Sequence, residues 1–242
     1  MPAWKVLLFC RAYLEKNFSV TYVKSQLNIS EHTAIDWTSF CAEICEYWLQ
    51  QQKPIGGPGV QVEIDETVIS KRKYNRGRML KTVWLFGGIE RVGKKFFIIP
   101  LITEGEEGTE PDVVPRSAEN LVTHIKQFIV PGSVVYSDMW KGYDSLGKIG
   151  YTHHRVNHSK EFVSTSDTSV HTQNIERLWR DVKEWVKKPG IVLYHVKKYI
   201  ARYVFCKMVT EEAKFHEFLL TAAKMYPHDG NKIRPDPRLT DA

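Results

Sequence analysis

The sequence has little of what staples or anchors a chain. Its 242 residues hold four cysteines, Cys10, Cys41, Cys45 and Cys206, and no C-x-x-C pair, which argues against a zinc ribbon. Cys41 and Cys45 are spaced to share one face of a helix, so they read as small core residues in a reducing compartment. No apolar run reaches the length of a membrane span, and no apolar leader with a small-residue cleavage site opens the chain. The expectation is a soluble intracellular protein with no membrane partner. Internal repeats are absent too. Acid does not dominate: 34 Lys and Arg stand against 28 Asp and Glu, a net charge of +6. A basic balance points to an anionic partner, nucleic acid first. With 43% hydrophobic and 12% aromatic residues the chain can build a real core, which excludes disorder. Its length fits one large domain or a core with a small appendage.

Residues 1–50 read as helical. Leu7, Leu8, Ala12 and Leu14 suit a first helix, Ser19 caps a second over Val20 to Leu27, and Ser30 caps a third carrying Ile35, Phe40, Ile44 and Trp48. A short helix, a tight turn and a longer helix form a helix-turn-helix pattern that would bring Glu31, His32 and Thr33 to DNA bases. An ordinary three-helix bundle is the alternative. Residues 51–59 hold Pro54, Gly56, Gly57, Pro58 and Gly59 and read as a linker with neither helix nor strand. From Val60 the pattern becomes β. Val60 to Thr67 alternates with period two, so Glu63 and Asp65 share a face. Lys81–Ile89 and Lys95–Thr103 follow as strands turned at Val92-Gly93, then a helix capped by Ser117, a strand ending at Asp138, a short helix over Trp140 to Leu146, and a strand over Tyr151 to Val156. A long helix runs from about Thr172 to Lys188, and another from Val196 to Val209. Residues 210–242 are a C-terminal helix and loose tail. The order β-β-β-α-β-α-β-α is ribonuclease-H-like: a mixed five-stranded α/β sheet over 60–209 with helices on both faces.

Asp65 and Asp138 each end a strand, where open α/β sheets carry their sites. In this topology the two strands are neighbours, and the long helix crosses them. Hard oxygen donors at one point suit two Mg²⁺ or Mn²⁺ ions. About 4 Å apart, such ions serve in-line attack on phosphorus. The third donor lies between Asn174 and Glu176. Ile175, Leu178, Trp179, Val182 and Val186 make the apolar stripe, with Asn174 at one edge and Glu176 at the other. Arg180, Lys183 and Lys187 lie on the Glu176 side, which favours Glu176 beside a DNA backbone. Lys71, Arg72, Lys73, Arg76 and Arg78 form a basic hairpin loop suited to phosphates. His153, His154, His158 and His171 form a loose cluster that reads as turn-capping or DNA-flanking before metal-binding.

The segments Glu63-Ile64-Asp65-Glu66, Tyr136-Ser137-Asp138-x-Trp140-x-Gly142-Tyr143, Val156-Asn157-His158-Ser159 and His171-Thr172-Gln173-Asn174-Ile175-Glu176-x-x-Trp179 together resemble the ISXO2-like transposase domain. This is the domain of the IS1595 insertion sequences and the related Merlin elements. The resemblance covers roughly Gln61 to Met208. It implies a Mg²⁺-dependent DDE-type transposase of RNase-H fold that cuts and joins transposon ends. The family's aspartates fall on Asp65 and Asp138. Its third position varies between Asn and Glu, and a basic residue seven positions on fits Lys183 to Glu176. The implied partners are double-stranded DNA, both terminal repeats and target, and a second copy in a homodimer or larger synaptic assembly. A eukaryotic host would place the protein in the nucleus. A transposase-derived DNA-binding protein without catalysis, or an RNase-H-like nuclease, is the alternative.

Overall fold

Three helices open the chain: α1 (Ala3–Tyr13), α2 (Val20–Leu27) and α3 (Glu31–Gln50). Both predicted caps form. Ser19 Oγ accepts from the Tyr22 amide at 3.4 Å and Ser30 Oγ from the Thr33 amide at 3.1 Å, so each helix has one of its orphan first-turn donors satisfied. Asn28 ends α2 in the left-handed region at φ 47°, a conformation asparagine tolerates. The computed structural model describes residues 1–69, 82–103, 111–156, 172–186 and 193–227. The basic residues 71–78, His158, His171, Lys187 and the tail beyond Pro227 lie outside them. The chain divides into two compact units, Met1–Gln52 with the residues from Ala201 onward, and Lys53–Ile200.

The second unit holds, in order, β1 (Ile55–Gly56), β2 (Gln61–Val68), β3 (Trp84–Glu90), β4 (Phe96–Pro100), α4 (Ala118–Phe128), β5 (Ile129–Val130), β6 (Val134–Ser137), β7 (Thr152–Arg155) and α5 (Gln173–Trp185). Five strands form a mixed sheet in the order β4-β3-β2-β6-β7. The first three make the expected antiparallel meander, and β6 and β7 add in parallel to β2. Val62 and Ile64 of β2 face α4, packing with Leu121, Ile125, Phe86 and Val135. Glu63 and Asp65 face α5. Helices thus cover both faces, and the central strand is buried on both.

Two expectations are corrected here. Residues 51–59 do hold a strand, because Ile55 and Gly56 pair in parallel with Ile129 and Val130. Gly56, at φ 86°, lets the backbone come against Ser133, whose Oγ would lie 2.3 Å from an added Cβ. Ser133 Oγ accepts from the Gly57 amide at 2.9 Å, so this glycine-rich stretch packs on the sheet. Trp140 to Leu146 is not one helix but two 3₁₀ turns, Lys141–Tyr143 and Leu146–Ile149. The Asp138 side chain accepts from the Trp140 amide at 3.0 Å, and this turn competes with a helix start.

Glu63 holds α5 to the sheet. It is fully buried. Oε2 accepts from the amides of Asn174 at 2.8 Å and Ile175 at 3.0 Å, and Oε1 from Asn174 Nδ2 at 2.7 Å and Arg91 Nε at 3.0 Å. The helix N-terminus therefore takes its anion from another strand. Arg91 also lies over the Tyr136 ring at 3.6 Å.

In the first unit, α6 (Leu193–Met208), from Ala201 on, and α7 (Glu211–Met225) join α1 to α3. Sequence pattern alone groups residues 201–209 with the sheet. Their placement is set by long-range contacts that no local pattern carries. Buried Arg202 donates from Nε to the Tyr13 carbonyl at 2.8 Å and from Nη2 to the Glu15 carbonyl, and lies over the Tyr13 ring at 4.9 Å. It caps the exit of α1, where carbonyls lack helical donors. All four cysteines are free and buried. Among the described residues, no helix is long and apolar enough to cross a membrane.

Replacing Glu63 with Ala leaves Arg91 and two helix amides without their acceptor, and is expected to cost about 2–4 kcal/mol. A urea titration of wild type and Glu63→Ala, followed by circular dichroism, measures it. An unchanged midpoint would refute this role.

Candidate active site

The register of the sheet brings the predicted aspartates together. Glu63 lies opposite Tyr136 in the parallel pair of β2 and β6, so two residues on, Asp65 comes opposite Asp138. Asp138 follows the last residue of β6, whereas Asp65 lies within β2, which runs on to Val68 and so does not end at Asp65 as the sequence pattern suggests. Glu66 joins them: carboxylate oxygens of Asp65, Glu66 and Asp138 all lie within 4.8 Å of one another. Among the described residues this is the one cluster of His, Cys, Asp and Glu that could hold a metal ion.

Each carboxylate has its own support. Asp65 Oδ2 accepts from Trp179 Nε1 of α5 at 3.0 Å. The indole reaches it because position 87, paired with Asp65 on β3, is glycine. A Cβ there would stand 2.7 Å from the Trp179 ring and 2.8 Å from the Phe97 carbonyl oxygen, so only glycine fits. Glu66 Oε1 accepts from the buried Tyr143 hydroxyl at 2.6 Å and Oε2 from Arg116 Nη2 at 3.1 Å. Asp138 is set by its bond to the Trp140 amide, and the neighbouring Ser137 hydroxyl lies 2.8 Å from His153 Nε2.

The electrostatics are those of crowded anions. Burial pushes the Asp65 carboxyl up to about 7, and the charges of Glu66 and Asp138 add to the rise. Burial also raises Glu66, against the pull of Tyr143 and Arg116. Tyr143 is held well above the usual phenol range by burial and by Glu66. Burial lowers His153. Three hard oxygen donors, with the Asp65 and Glu66 carboxyls both raised by desolvation, fit a small divalent cation, which would offset that cost.

The other predicted residues lie elsewhere. Glu176 is on the exposed first turn of α5 and is not a member of the carboxylate cluster. Asn174 is engaged with Glu63, and its Oδ1 accepts from Lys94 Nζ at 2.7 Å. Arg180 and Lys183 are exposed on α5. His154 stacks on Tyr136 and His153 lies against the Ser137 hydroxyl, while His158 and His171 lie outside the described residues. Sequence reasoning missed Glu66, Arg116, Tyr143 and the role of Trp179. Glu66 gave no periodic signal, since neighbouring strand residues point to opposite faces, yet its carboxylate comes within 4.8 Å of those of Asp65 and Asp138.

Comparison with known proteins gives two findings. The sequence model of the ISXO2-like transposase domain matches residues 56–206. An "Uncharacterized transposase-like protein" of Haemophilus influenzae is 30% identical over 90 residues, which span 36% of this chain and 71% of that protein.

The shifted Asp65 makes stability depend on pH. Its folded value near 7 exceeds the unfolded value of about 4. The folded state then holds the proton more tightly, so the stability this gives is full below pH 4 and is lost as pH rises through 7. The free protein should lose about 2–4 kcal/mol across that window, and Asp65→Asn should remove most of the slope. Thermal melts from pH 4.5 to 8 in a chelator test this. Parallel slopes in the two proteins would refute it.

Proposed function

This chain belongs to the ISXO2-like transposase domain family, and we propose that it is a DDE-type transposase that cuts and joins DNA at transposon ends. The observation that carries this reading is the convergence of Asp65, Glu66 and Asp138, from β2 and from the residue just after β6, its parallel neighbour in the sheet. Asp65 and Asp138 are the residues to hold two Mg²⁺ or Mn²⁺ ions, with Glu176 as the third donor. Such ions supply an activated nucleophile and charge stabilisation for in-line displacement at phosphorus. Trp179 orients Asp65, and Tyr143 with Arg116 orients Glu66. Glu176 lies one helical turn before Trp179, at the edge of α5 whose indole reaches Asp65, whereas Asn174 is already committed to Glu63. That geometry favours Glu176 over Asn174.

The strand order and the helices on both faces support an RNase-H-like reading of the sheet unit. The turn between α2 and α3, with its left-handed Asn28, supports a helix-turn-helix. There Glu31 is paired with Lys24 at 2.9 Å, which leaves His32 the more open to bases. Arg180, Lys183, Lys187 and the basic residues Lys71, Arg72, Lys73, Arg76 and Arg78 are the proposed contacts to double-stranded DNA, in terminal repeats and target. Joining two ends requires a homodimer or a larger synaptic assembly. The position of Glu176 outside the carboxylate cluster favours one competing account, a DNA-binding protein derived from a transposase without catalysis.

Strand cleavage and joining on duplexes carrying the flanking terminal repeats, in Mg²⁺ or Mn²⁺, decides between them. Asp138→Asn should lower the rate about a hundredfold or more, and Glu176→Gln should do likewise. Wild-type activity in Glu176→Gln would pass the third role to Glu66 or Asn174. Wild type that binds the ends in either metal and never cuts them would sink the enzyme reading.

A further inference from the structure

We infer that Arg116 is a DNA-phosphate-binding residue, placed to hold a backbone phosphate beside the carboxylate cluster; this rests on the proposed action on DNA. Arg116 stands immediately before Ser117, the N-cap of α4. Its Nη2 donates to Glu66 at 3.1 Å, and its guanidinium lies 4.6 Å from the Trp140 ring and 5.2 Å from the Trp84 ring. Two aromatic faces and a carboxylate fix the orientation of the fork, the preorganisation that favours a planar, bidentate contact.

The pair is asymmetric. Glu66 is 1% exposed and Arg116 is 28% exposed, so one end of the guanidinium is committed inward and part of it meets solvent. Its hydrogen bonding is also incomplete, since the buried Nε has no partner. A groove whose lining includes Trp84, Val113, Pro115 and Arg116, with Asp112 as its one acidic residue, opens at the same place. The adjoining N-terminus of α4 adds a partial positive charge. A cation whose own carboxylate belongs to the acidic cluster meets a phosphate at the distance scale of that cluster. A residue that only neutralised Glu66 would need neither exposure nor an open groove.

The test uses the full chain and a fluorescein-labelled random-sequence duplex, with affinity measured by polarisation at several salt concentrations in a chelator. A phosphate contact contributes about one unit to the slope of log affinity against log salt. Arg116→Gln should weaken binding severalfold and lower that slope by about one, and Arg116→Lys should restore the slope. Because Arg116→Gln leaves Glu66 buried without its cation, the double variant Glu66→Gln/Arg116→Gln is measured beside it and should show the same loss. A slope equal to wild type in both Gln variants overturns the inference, as does a wild type that binds no duplex. Metal-dependent cleavage by wild type together with unaltered slopes would remove Arg116 alone. A lowered slope in a protein that never cuts would keep the contact and remove the catalysis.

Discussion

The buried carboxylate of Glu63 is the contact on which the geometry of the site depends. A fully desolvated anion is costly unless its lone pairs are filled. Here they are filled from three directions: two amides at the start of α5, the Asn174 side chain and Arg91. The helix needs an anion at its N-terminus, and the anion needs donors, so each satisfies the other. The result locks α5 across β2. From that anchor the helix carries Trp179 to Asp65 one side-chain step along the same strand. Gly87 keeps the path of the indole open.

The second constraint is electrostatic. Asp65, Glu66 and Asp138 are drawn together by backbone register, against their mutual repulsion. The fold tolerates this because Asp65 can keep its proton near neutral pH and Glu66 leans on Arg116 and Tyr143. A protein built for stability alone would have spread these charges. Concentrating them at one point, with aromatic and cationic support, is the arrangement expected of a site whose natural complement is cationic.

Part of this architecture is legible in the order of the amino acids. The serines at positions 19, 30 and 117 announce helix starts because capping is a local exchange between one hydroxyl and an amide three residues on. The β-branched run ending at Asp138 announces a strand-end carboxylate, whereas β2 runs on past Asp65 to Val68. The glycine-rich stretch at 56–59 misleads, because glycine signals freedom of φ and not whether the chain then finds a partner. Ile55 and Gly56 find one in Ile129 and Val130. Trp140 to Leu146 misleads because the Asp138 side chain takes the Trp140 amide. Glu66 is hidden because alternation assigns it to the other face of β2.

By itself the sequence determined most of the element types, the serine-capped helix starts, the core character of Cys41 and Cys45, and the motifs that carry the family. All of these follow from interactions a few residues apart, or from hydrophobicity summed along a face. Only the tertiary structure decided that Glu63 caps α5, that Arg202 caps α1, and that Trp179, Tyr143 and Arg116 brace three carboxylates. Those choices turn on which distant groups share one desolvated space. That is set by strand register and helix docking, and neither leaves a periodic trace in the chain.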